Sequence, residues 1–127
     1  MANPNISNVS TVVGVTTAIK IANANNFGGN VLLSNAAASG AVYKVNSIIA
    51  SNVDGSTNAD VSINYMASAA GVGHSYGLCK SMVVTVGSNL VVIGKDSPIY
   101  LTENTSLCCA ASAADDIDVM ISYESYS

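Results

Sequence analysis

The chain is 127 residues long, enough for one domain with one core and too short for two. Half of it is hydrophobic and only 9% is charged, against about 25% in ordinary domains, so it collapses instead of staying solvated and is no ordinary disordered tail. With four Lys+Arg and a net charge of −4, it cannot build the basic stripe that general nucleic-acid binding needs.

From the N-terminus, Met1-Ala2-Asn3-Pro4-Asn5 has neither a basic start nor a continuous apolar stretch, so it does not read as a signal peptide. No run of about 18 apolar residues follows anywhere, so no membrane-spanning helix is expected. Synthesis in a cytosol is the expectation. Ala2 to Ser10 holds Pro4 and three Asn and reads as an extended arm, able to reach a neighbour or to fray. Val9, Thr11, Val13, Val15, Thr17, Ile19 and Ile21 then alternate, interrupted by Gly14. This predicts an arm that becomes a strand, or two short strands kinked at the glycine. Val31-Leu32-Leu33 is a short apolar run, and Ala36 to Ala38 are too few for more than a helical turn.

Ala41 to Val53 places Tyr43, Val45 and Ile49 on one face and Val42 and Ile48 on the other. A strand apolar on both faces is covered on both, by a second layer or by another subunit. Asp54-Gly55 predicts a turn with the glycine at positive φ. Val61, Ile63 and Tyr65 alternate with Ser62 and Asn64, the signature of a strand with one dry face. Gly71, Gly73 and Gly77 bound a loop, after which Leu78–Val86, Leu90–Ile93, Ile99–Leu101 and Ser106–Ala111 read as strands. Ile117, Val119, Ile121 and Tyr123 close the series, with Asp118 and Ser122 turned outward. About eight strands at this spacing predict an all-β antiparallel sandwich or barrel. Residues 1–20 form the arm and first strand, and 21–127 a single β domain.

Side chains able to do chemistry are sparse. His74 is the single histidine and lies in Gly71-Val72-Gly73-His74-Ser75, a loop with no nucleophile signature. Cys79, Cys108 and Cys109 are an odd set, expected as small buried hydrophobes in a reducing cytoplasm. Adjacent strand residues face opposite ways, so Cys108 and Cys109 cannot both ligate one zinc without a bulge. Asp115, Asp116 and Asp118 lack the spacing of a calcium loop. We therefore expect no enzyme, no cofactor and no metal. What remains is surface: an exterior of Ser, Asn, Ala and Val with few charges is normally occupied by copies of the same chain or by partners.

Several segments carry a family resemblance. Met1-Ala2-Asn3-Pro4-Asn5-Ile6 and Val42-Tyr43-Lys44-Val45-Asn46-Ser47-Ile48, running on to Ala50-Ser51-Asn52-Val53-Asp54-Gly55, are two of them. Leu90 to Lys95, Ile99 to Asn104 and Val119 to Glu124 are the others. Together they resemble small virion structural proteins of tailed phages infecting marine and freshwater bacteria, cyanophages among them. The likeness covers most of the chain after about residue 40, is weaker over residues 7–40, and marks no active site. It implies a jelly-roll sandwich on the virion, made in the host cytoplasm. The preferred role is a capsid decoration (cement) protein stabilising the head, a homo-oligomer with a trimer favoured. Its partners would be copies of itself and the major capsid protein or another virion protein, with neither nucleic acid nor membrane. On this reading Asn3, Pro4, Asn5 and Ile6 form a docking arm, and Tyr43, Tyr65 and Tyr123 are core or interface anchors. The alternative is a tail, neck, baseplate or fibre component, with a host glycan as ligand and a loop tyrosine such as Tyr76 stacking on the sugar.

Overall fold

Where apolar and polar residues alternate strictly, a strand can bury one face without stranding polar side chains, and the alternating segments do form strands. A computed structural model describes residues 8–127, and the described residues contain no α-helix. The strands are β1 (Val12–Lys20), β2 (Val31–Asn35), β3 (Val42–Asn52), β4 (Ala59–Met66) and β5 (Ser75–Val84). They continue with β6 (Asn89–Ile93), β7 (Ile99–Leu101), β8 (Thr105–Ala111) and β9 (Ile117–Tyr126). One sheet runs β1-β9-β3-β6, with β7 also on β3; the other runs β2-β8-β4-β5. Every pairing is antiparallel.

β6 pairs with Ile48–Ser51 and β7 with Tyr43–Val45, so both lie along the same side of β3. They are two halves of one strand, broken at Gly94 to Pro98. Counted so, eight strands make two four-stranded sheets in jelly-roll order, a sandwich and not a closed barrel. The core between them holds fully buried Val45, Ile48, Val61, Ile63, Leu107 and Ile121, among others. Each such side chain contributes about 1.5–3 kcal/mol of transfer free energy.

Three local expectations are corrected. Val45 and Ile48 both face the core, because the β3–β9 register shifts between Val45 and Ser47 and Asn46 is the extra residue. That bulge reverses the parity, so Ile49 joins Met120 on the outer face. Gly55 is not in the left-handed region; the turn is set by the Asp54 carboxylate, which accepts from the Thr57 amide and hydroxyl, both at 2.6 Å. That turn carries the chain from one sheet to the other instead of closing a hairpin. Finally, Gly14 does not break its strand, since β1 pairs with β9 without a shift from Val12 to Lys20.

β8 is buried along its whole length. Leu107, Cys109 and Ala111 face the core, while outward-facing Ser106 and Cys108 lie under the loop of residues 67–74. Ser106 donates to the Ser68 carbonyl at 2.6 Å. Gly71 crosses so close that an added Cβ would sit 3.1 Å from the Cys108 sulfur. Two buried asparagines tie the sheets together: Asn35 of β2 donates to the Leu101 carbonyl of β7, and Asn52 of β3 to the Val84 carbonyl of β5.

Candidate interaction surface

Among the described residues, the jelly roll leaves four free strand edges, and they differ. β2 is five residues long with a register shift between Val31 and Leu33. β5 carries two register shifts against β4, with Ser81 at φ 49°. The β6–β7 edge is broken at Gly94 to Pro98. Short, bulged or broken edges resist pairing with another chain. Among the described residues β1 has none of these protections: it is nine residues long, unshifted, and uncharged apart from Lys20 at its end.

The free side of β1 can be read from its hydrogen bonds. Thr11 and Ser127 exchange both backbone bonds at 2.9 Å, and the Ile21 amide donates to the Ile117 carbonyl at 2.9 Å. In an antiparallel ladder such pairs alternate with pairs whose backbone groups point away. The odd-numbered residues of β1 therefore bond to β9. Val12, Gly14, Thr16, Ala18 and Lys20 direct N–H and C=O outward, and their side chains lie on the exposed face. On the core side of the strand, Val13 is 48% exposed, and Val15, Thr17 and Ile19 are half-buried.

The outer face of the five-stranded sheet holds an open basin of about 650 Å³ lined by Thr16, Lys44, Asn46, Lys95, Ser122 and Glu124, among others. Asn46, the bulged residue, donates to Glu124 at 3.1 Å, and the Thr16 and Ser122 hydroxyls share a bond at 2.9 Å. Lys20 and Asp118 form an exposed ion pair at 2.7 Å, an arrangement worth less than about 1 kcal/mol. Val91 and Met120 stand more than half exposed on this sheet, and Val83 does so on β5 of the other.

The sequence-derived sites fall as follows. Tyr43 and Tyr123 meet at 5.0 Å between ring centres with their planes tilted by 44°, and Tyr65 meets Tyr76 at 6.2 Å. Tyr43, Tyr65 and Tyr123 all pack against the core while remaining half-buried. Tyr76 is 61% exposed. The arm residues Asn3, Pro4, Asn5 and Ile6 lie outside the described residues. His74 is exposed, and among the described residues no group of three or more His, Cys, Asp or Glu could hold a metal ion. The three cysteines are free thiols, and burial pushes Cys109 up to about 12, with Cys108 and Cys79 adding to the shift. The β1 edge was not singled out by sequence reasoning. Its signal was the uncharged alternation from Val9 to Ile21, but which strand stands at an edge depends on long-range pairing.

No family model matches this chain, and no curated protein matches it either. Among solved structures it is similar to a chain of Bacillus endospore appendages, described as a family of disulfide-linked pili. The TM-score is 0.51 at 16% identity, covering 92% of this chain and 88% of that one. At that identity the likeness is one of fold. Weaker likenesses reach a Clostridium thermocellum xylanase 10B comprising CBM22-1 and GH10 modules and infectious bursal disease virus strain Gx. Their TM-scores are 0.32 and 0.28, at 11% and 9% identity. They cover 91% and 90% of this chain but 25% and 41% of those chains, and carry no argument.

Proposed function

We infer that the chain is a non-enzymatic structural subunit that works by assembling with copies of itself and with a larger particle. One observation carries this reading: a sparsely charged sandwich presents a long, regular strand edge, uncharged but for Lys20 at its end, while the other edges of the described residues are bulged, short or broken. A freely diffusing monomer would be expected to blunt such an edge. The pilus-forming fold relative supports an assembly role. The residue-level resemblance to phage virion proteins supports a place on the virion, as a capsid decoration (cement) protein. In that role many modest contacts, repeated by symmetry, would restrain the shell against internal pressure, since multivalent attachment makes weak individual contacts durable. The basin around Lys44, Lys95 and Glu124 favours a second reading, a tail or fibre component that holds a host glycan.

Imaging the intact virion tests both. Hundreds of copies spread over the head are the expected result. A few copies at the tail would favour the second reading, and absence from the particle would overturn both.

A further inference from the structure

We propose that β1 is a self-pairing edge: β1 of one copy joins β1 of a second copy, antiparallel about a two-fold axis at Thr16, extending the five-stranded sheet across both. This rests on the self-assembly reading and adds the surface, the register and the symmetry.

The register follows from the backbone. Outward amides and carbonyls belong to Val12, Gly14, Thr16, Ala18 and Lys20, so only even-numbered residues can bond across the edge. Centring on Thr16 engages all five. It sets Thr16 on Thr16, Gly14 opposite Ala18, and Val12 opposite Lys20 of the second copy. Any other even register leaves groups at one end unpaired.

Side chains agree on both faces. The two Lys20 residues, the strand's only charges, are carried to opposite ends of the joint, whereas parallel pairing would bring them together. Toward the core, Val13 meets the second copy's Ile19 and Val15 its Thr17. These four positions are exposed or half-buried in the single chain, and pairing removes their apolar surface from water. A patch that complements itself closes a pair by two-fold symmetry, so this edge gives a dimer and not the trimer implied by the family resemblance.

Two substitutions of Thr16 test the pairing in the full chain. Thr16→Pro removes an amide that faces outward and leaves the β1–β9 ladder bonds in place. Thr16→Cys places two thiols across the axis at a Cα separation of about 5.5 Å, within disulfide range. Sedimentation should show the wild type associating and Thr16→Pro dissociating at least tenfold more readily, with thermal unfolding confirming that it is folded. Mild oxidation with diamide, which takes up the two thiol hydrogens, should convert Thr16→Cys to a covalent dimer and leave Lys20→Cys unlinked. If the wild type associates but Thr16→Pro does so equally and Thr16→Cys does not cross-link, the β1 pairing is overturned while self-assembly stands. A wild type that remains a single chain overturns both.

Discussion

Asn35 and Leu101, 66 residues apart and on opposite sheets, are joined by a 2.9 Å hydrogen bond from the asparagine amide to the leucine carbonyl. The same amide donates to the Ala41 carbonyl at 2.8 Å, and the side chain is fully buried. Replacing Asn35 with Leu removes the donor and leaves buried carbonyls unpaired, a loss of about 3 kcal/mol. Asn52→Leu, which strips the donor from the Val84 and Thr57 carbonyls, should cost a similar amount. Chemical denaturation of both variants measures this. Losses well under half that size would mean that water or local relaxation replaces the bonds.

A second prediction contrasts two glycines in one loop. Gly71 and Gly73 both have positive φ, at 74° and 86°. A Cβ on Gly71 would meet the Cys108 sulfur at 3.1 Å and Val31 at 3.2 Å, whereas one on Gly73 would meet nothing within 4 Å. Gly73→Ala should therefore cost only the backbone strain, about 1 kcal/mol. Gly71→Ala should cost about 3 kcal/mol, because it also lifts the loop off β8. Equal melting temperatures for the two variants would contradict this packing.

The Asp54 turn predicts an acid response. Hydrogen bonds from Thr57, and then from Ser56, lower the Asp54 carboxyl from 3.8 to about 2. A folded value below the unfolded one means the stabilisation is present above pH 3.8 and is lost as pH falls toward 2. The carboxyl carbon should titrate by NMR with a midpoint near 2. The stability difference between wild type and Asp54→Ala should shrink through the same window. A midpoint near the ordinary value would show that the turn bonds do not persist in solution.

Thiol reactivity gives a fourth. Burial raises all three cysteines above the ordinary 9.0, with Cys109 reaching about 12. Because the thiolate is the nucleophile, iodoacetamide at mildly alkaline pH should modify the folded protein slowly. Half-buried Cys79 should react before Cys108 and Cys109, and all three should react promptly in denaturant. The raised Cys109 value also makes stability fall as pH rises from 9 toward 12, since only the unfolded chain can ionise that thiol readily. Fast native labelling of Cys109 would contradict its place in the core.

β4 and β9 were legible from sequence, because Val61 and Ile63, and Ile117, Val119 and Ile121, keep a period of two across a half-dry sheet. β3 was legible as a strand but not in its facing, since the extra residue Asn46 resets the parity and no local pattern marks a bulge. The Asp54-Gly55 pair identified a turn but not its sheet-to-sheet crossing, which depends on where β3 and β4 find partners far along the chain. For the same reason the sparse charge of Val12 to Lys20 could be read while its position at a free edge could not. The cover that the Gly71 loop places over Cys108 is likewise a tertiary contact, invisible in either segment alone.

Sedimentation equilibrium of the wild-type chain, alone and from micromolar to millimolar concentration, puts the assembly role to its sharpest test. A mass rising to a multiple of 12.8 kDa is predicted. A chain that stays at 12.8 kDa throughout and remains freely soluble would contradict it.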